Sequence, residues 1–172
     1  IMAGEIIYSY PIANAIKNGY VKHLKAVQLN PRTLRYVRRE DGHEIEVDLE
    51  EVIRLGETDA DFRRSIVTSQ ESLNTIVDAS IRELKKLRAN TQENKLKIIA
   101  SALNYEHCIQ ITKEFQSRGL KADYVHSIED GKKNSDIINK LHNHELDVIV
   151  QVRKLGEGFD HPYLSVAAVF SI

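Results

Sequence analysis

The stretch LKIIASALNYEHCIQITKEFQSRGLKADYVHS, residues 96–127, decides the fold. LKIIASA (96–102) is an apolar run of strand length. NYEHCIQITKEFQSRG (104–119) carries Cys108, Ile111, Thr112 and Phe115 at helical spacing before Gly119 ends it, and KADYVHS (121–127) is a second strand. The alternation continues downstream. KKNSDIINKLHNH (132–144) presents Ile137, Ile138 and Leu141 on one helix face, LDVIVQV (146–152) is a third strand, RKLGEGFDHPYL (153–164) is a loop, and SVAAVFSI (165–172) is a final strand. Strands alternating with helices of this length predict an α/β fold with a parallel sheet and right-handed crossovers. In such sheets ligands collect beyond the carboxyl ends of the strands.

Upstream the pattern is less regular. GEIIYSYPIANAIKNGY (4–20) reads as a short strand and a short helix, bracketed by Pro11 in the first turn and Gly19 past the end. RTLRYVRREDGHEIEVDL (32–49) reads as a β-hairpin about Asp41-Gly42, which sets Arg39 against Glu44 and Arg35 against Asp48, with Tyr36 facing Val47 on the other side. Arg32, Arg35, Arg38 and Arg39 are therefore read as neutralised across the hairpin rather than as a phosphate patch. A long helix is predicted from Thr68, where Thr68 and Glu71 have capping-box spacing and Leu73, Ile76, Val77, Ile81, Leu84 and Leu87 form one stripe. Arg82, Lys85, Lys86 and Arg88 fall in its last turns, where they oppose the helix dipole, and ANTQENK (89–95) reads as a connector.

Composition limits what this chain can do. With 172 residues, 42% of them hydrophobic, it can bury one ordinary core. Lys and Arg number 24 against 25 Asp and Glu, so any contact with nucleic acid has to be local. Cys108 is the only cysteine, which excludes an internal disulfide and a cysteine-rich zinc site, and fits a reducing compartment. His107, His142 and His144 lack the spacing of a metal site, and a Cys108–His107 catalytic pair is sterically unfavourable between helix neighbours. No run approaches the roughly 20 apolar residues of a membrane span, so the expected setting is cytoplasmic, with no membrane partner. Ile1 in place of an initiator Met and the uncapped apolar run at the other end read as an excised fragment.

The stretches leaving the strands are Ser101 to Asn104, His126 to Gly131 and Arg153 to Pro162. The last is the most unusual. Gly156 and Gly158 let a backbone approach a ligand closely, Asp160 offers a carboxylate, and Pro162 stiffens the exit. A Glu157–Asp160 carboxylate pair for hydrolysis is the weaker reading, because no second supporting loop is evident.

DVIVQVRKLGEGFDHPYLSVAAV (147–169) resembles motif V of superfamily-two helicases of the DEAD/DEAH type, in the version found in type I and III restriction-enzyme motor subunits and excision-repair helicases. KLKIIASALNYEHCIQITKEFQSRG (95–119) resembles the motif IV strand and helix, ADYVHSIEDGKKNSDIINKLHNHELD (122–147) the unit that follows, and YSYPIANAIKNGYVK (8–22) the segment leaving the first motor lobe. Residues from about 25 to 90 match no motif. The resemblance implies a RecA-like C-terminal lobe over 95–172, cut before motif VI, and an inter-lobe connecting segment with hairpin and long helix over 1–94. It implies ATP and Mg2+ bound between this lobe and a first RecA-like lobe of the same polypeptide, with DNA, or RNA, lying across both. By position, Gly158 and Asp160, with Glu157 between the two glycines, approach the nucleotide, while Ser101, Asn104, His126, Ser127, Arg153 and Gly156 contact the nucleic-acid backbone. Many relatives carry a threonine where Val152 stands; valine makes no phosphate bond, so Gln151, Arg153 or loop amides take that role.

Phosphoryl-transfer motors need a glycine-rich phosphate loop, an Asp-Glu pair and an arginine finger. No GxxxxGK[ST] occurs in the chain, and the motif VI arginine is not reached. The expected function is therefore that of a helicase or translocase fragment that does not hydrolyse ATP alone. Two alternatives stay open: a non-enzymatic module of RecA-like fold that docks nucleic acid or a partner, and half of a small-molecule transferase.

Overall fold

A computed structural model of the chain describes residues 10–22, 25–26, 34–37, 44–47, 67–127, 131–152, 155 and 159–170. Among them α1 (Ile12–Lys17) follows Pro11, and Gly19 takes a φ of +77° just past its end. The strand expected before it lies outside the described residues. The hairpin forms from β1 (Leu34–Val37) and β2 (Glu44–Val47). Its register differs from the expected one by two residues: Arg35 lies opposite Glu46 and Tyr36 opposite Ile45. Such a slip preserves which residues share a face, because the side-chain period is two, and only the turn sets the absolute pairing. Asp41-Gly42, Arg32, Arg38 and Arg39 lie outside the described residues.

The long helix α2 (Gln70–Thr91) begins one residue later than the expected cap. Ser69, not Thr68, is the N-cap; its hydroxyl accepts from Ser72 N at 3.2 Å, and Glu71 lies in the first turn. The helix runs through the first part of the expected connector and stops at Gln92, a left-handed residue with φ 56°. Leu73, Val77, Ile81 and Leu84 of its stripe are buried. Arg88 does more than oppose the dipole: its Nη2 donates to Leu96 O at 2.6 Å and to Asp147 Oδ1 at 2.7 Å, pinning the helix end to the sheet.

From there the expected alternation is realised: β3 (Lys97–Ser101), α3 (Tyr105–Ser117), β4 (Ala122–Val125), α4 (Gly131–His142), β5 (Val148–Gln151) and β6 (Leu164–Val169). The four strands form one sheet in the order β4-β5-β3-β6, and every pairing in it is parallel. This is the RecA-like α/β arrangement that the sequence predicts. Side chains alternate between the two faces. Ile98, Ala100, Val148, Val150 and Ala168 join the stripes of α2 and α3 in one core, while Val125 and Ile149 meet Ile137 and Leu141 of α4 in a second. Right-handed crossovers account for that split, since β3 to β4 and β4 to β5 step in opposite directions along the sheet and their helices must take opposite faces.

The connection from β5 to β6 is the irregular one. Both strands are parallel to β3, which lies between them, so the chain must return from the carboxyl edge to the amino edge across the sheet. Leu155 and Phe159 pack against the α4-side core on the way. At the amino edge Lys97 N donates to Tyr163 O at 2.8 Å, and Lys22 Nζ donates to Pro162 O and Leu164 O, both at 2.9 Å. Lys22, after α1, thereby ties to the start of β6.

Candidate functional site

Ser101 is the last residue of β3, and its hydroxyl accepts from Gln151 Nε2 at 3.5 Å. The same Gln151 side chain accepts from Leu155 N through Oε1 at 3.4 Å. One amide therefore bridges the ends of β3 and β5 and holds Leu155 of the crossover at the carboxyl edge. Asn104 is the N-cap of α3; its Oδ1 accepts from His107 N at 2.9 Å, which leaves the Nδ2 group to donate outward. Both Ser101 and Asn104 thus keep hydrogen-bond donors at this edge, the polarity that suits an anionic ligand.

His126 follows β4 and is 6% exposed, while Ser127 is exposed. The backbone of His126 is held from α4: Asn134 Oδ1 accepts from His126 N at 3.1 Å, and Asn134 Nδ2 donates to His126 O at 2.9 Å. A buried amide satisfying both backbone groups of one residue fixes where the loop leaves the strand. Tyr105, the first residue of α3, lies with its ring 5.0 Å from that of His126 and 5.8 Å from that of Tyr124. The geometry therefore brings Ser101, Asn104, His126 and Ser127 to one carboxyl edge, with Gln151, Tyr105 and Asn134 supporting them.

Arg153, Gly156, Glu157 and Gly158 lie outside the described residues. Asp160 is exposed and stands between half-buried Phe159 and buried His161. The expectation that the whole turn from Gly156 to Pro162 occupies the carboxyl edge is not met by its second half. His161 sits at the amino edge, its ring 5.1 Å from that of His142 at the end of α4 and 6.1 Å from that of Tyr163. Asp160 thus lies between Phe159, which packs on the α4-side core, and His161 at the amino edge. The physical reason is the parallel β6, which has to start there. Val152, expected to make no phosphate bond, is buried in the α2–α3 core.

Electrostatics at the two edges differ. In the first turn of α3 the His107 imidazole is buried against Phe170, and burial pushes its pKa down to about 4. Burial likewise pushes the Cys108 thiol up to about 12, which marks it as a packing residue. At the amino edge Lys97 is buried, with Nζ donating to Leu146 O, and burial lowers its pKa. His161 is also lowered, first by burial and then by the charge of His142. No group of three His, Cys, Asp or Glu among the described residues is placed to hold a metal ion, and none of the described helices is long and apolar enough to cross a membrane.

Comparison with known proteins fits this arrangement. Over 77 residues the chain is 31% identical to the UvrABC system protein B of Gloeothece citriformis, covering 45% of this chain and 12% of that protein. Over 165 residues it is 27% identical to the UvrABC system protein B of Leptospira biflexa, covering 94% of this chain and 24% of that protein. The parallel sheet flanked by helices is a RecA-like α/β arrangement, in a chain similar in sequence to these proteins. The chain spans 24% or less of the length of these two relatives. The crystal structure of the Pyrococcus furiosus Hef helicase domain aligns at 14% identity with a TM-score of 0.44, covering 70% of this chain and 28% of that one. No protein-family model matches the chain.

Of the residues that support the sheet's carboxyl edge, the sequence reading missed Tyr105 and Asn134. Asn134 was detectable, because it shares the buried helix face of Ile137 and Leu141 at i, i+3 and i+7, where a polar residue requires a partner. Tyr105 had no such signal.

Proposed function

We propose that the chain is the second motor lobe of an ATP-dependent DNA helicase or translocase of the excision-repair type, residues 95–172 being the lobe and residues 1–94 the inter-lobe connecting segment. The observation that carries this reading is the carboxyl edge: Ser101, Asn104, His126 and Ser127 converge there on a parallel sheet in a chain similar to UvrABC system protein B along most of its length. Those relatives favour a repair setting over a restriction system. In this reading Ser101, Asn104, His126 and Ser127, with Arg153 and Gly156, contact the nucleic-acid backbone. Gly158 and Asp160, with Glu157, approach the nucleotide, where the Asp160 carboxylate can accept two hydroxyl hydrogen bonds. The chain contains no GxxxxGK[ST], so ATP, Mg2+ and the phosphate-binding groups come with the first lobe, and this fragment alone does not turn ATP over.

Two measurements test the proposal. The purified chain should bind DNA oligonucleotides weakly and with a shallow salt dependence, because few local cations neutralise phosphate in a protein of net charge −1, whereas tight, steeply salt-dependent binding would favour the docking module. In the longer polypeptide that joins this lobe to the first, Asp160→Ala should weaken nucleotide binding and DNA-stimulated ATPase. Unchanged values for both would refute the nucleotide assignment, and ATP turnover by the isolated chain would refute the division of labour.

A further inference from the structure

Tyr105 stands where neither helix formation nor the core calls for it. The first turn of a helix favours acidic and capping side chains over aromatic ones. The core stripe of α3 is made by Cys108, Ile111 and Phe115, each 0% exposed, whereas Tyr105 continues that stripe past the end of the sheet and is only partly buried. Its ring joins those of Tyr124 and His126, and the Tyr105 and Tyr124 hydroxyls are 3.3 Å apart. Lys133 Nζ lies 5.5 Å from the centre of the Tyr124 ring. Beside them Leu103 is 41% exposed, a large apolar side chain left in water at the edge where ligands collect.

An aromatic ring, an exposed aliphatic side chain and a nearby ammonium are the elements of a stacking surface for unpaired bases, which every base can use because every base has a π-face. Duplex DNA offers no such face, since its bases are stacked on each other. We infer that Tyr105, flanked by Leu103 and braced by Tyr124 and His126, stacks on a base of single-stranded nucleic acid, so that the carboxyl edge takes an unpaired strand. This rests on the nucleic-acid reading above and specifies the form of strand it accepts.

The test compares two strands of equal length and charge, oligo(dT) and its fully abasic counterpart, titrated into the 15N-labelled chain at low salt and followed by amide chemical shifts. Phosphate contacts treat the two alike; stacking does not. A stack of ordinary strength should make oligo(dT) bind at least about fivefold more tightly. Tyr105→Leu should bring oligo(dT) down to the level of the abasic strand, and Tyr105→Phe should keep the preference, with the amide spectra of both variants reporting that the fold is retained. The inference is overturned if the two strands bind equally, if a duplex of the same length binds more tightly than oligo(dT), or if Tyr105→Leu keeps the preference. Equal binding would leave the carboxyl edge as a phosphate track. Binding of neither strand would remove that track as well.

Discussion

Lowering the pH should destabilise this fold through one imidazole. His107 is 1% exposed; its Nδ1 accepts from Leu103 N at 3.3 Å, and Nε2 is buried with no hydrogen-bond partner among the described residues. That pattern assigns the ring proton to Nε2 in the neutral form, and the Leu103 N–H occupies the place of a second proton at Nδ1. Burial sets its pKa at about 4, against 6.5 when exposed. A folded pKa below the unfolded one means that the unfolded chain takes up the proton first. The stability is therefore fully present above pH 6.5 and is lost as the pH falls toward 4. The whole shift corresponds to about 3 kcal/mol, of which about 2 kcal/mol is gone by pH 5. Urea unfolding of the chain at pH 7 and pH 5 measures the loss. His107→Asn keeps an acceptor for Leu103 N but cannot titrate. It should be less stable at pH 7, having lost ring contacts with Phe170, yet its further loss on going to pH 5 should be smaller than that of the parent by about 2 kcal/mol. His144 and His161 titrate in both proteins and cancel from that difference. An equal pH-induced loss in the two proteins would refute the assignment.

Three further outcomes follow from the geometry. Cys108, with its thiol pushed up to about 12 and 0% exposed, should resist alkylation at pH 8 in the native protein and react only at the rate of unfolding. Asn134→Ala strands a buried N–H and C=O of His126 and should cost about 1–3 kcal/mol in urea unfolding, with altered amide shifts at His126 and Ser127. Arg88→Ala removes the bonds to Leu96 O and Asp147 and should raise the Asp147 carboxyl pKa, readable by NMR. Burial alone would push that carboxyl up, and the Arg88 side chain and the Lys121 amide hold it down.

What could be read from the sequence was whatever depends on neighbours along the chain. Cys108, Ile111, Thr112 and Phe115 were expected to face inward and are all buried, and Gly119 ends its helix with a φ of +81°. Strand order was beyond reach, because the runs at 97–101 and 148–151 are equally apolar and carry no mark of which lies centrally. The cap moved from Thr68 to Ser69 because two hydroxyls precede the same helix and only the bond to Ser72 N separates them. Arg88 was read from its position in the last turn, yet its role comes from Asp147, 59 residues away.

The crossover shows how a correct rule misleads when applied to a whole segment. Ligand loops do leave the carboxyl ends of parallel strands, and Leu155 is held there by Gln151. The same segment must also deliver β6 to the amino edge, seating Phe159 in the α4-side core and His161 against His142. Asp160 is consequently an exposed carboxylate on a backbone anchored at both neighbours, which suits a fixed ligand contact better than a free loop would. If that anchoring matters, Phe159→Ala in the two-lobe polypeptide should weaken nucleotide binding nearly as much as Asp160→Asn. Its stability cost should stay near about 1–2 kcal/mol, since Phe159 is only half-buried. Isothermal titration with a non-hydrolysable nucleotide alongside urea unfolding separates the two effects. Full nucleotide affinity in Phe159→Ala would mean that the Asp160 backbone is positioned by something other than the α4-side core.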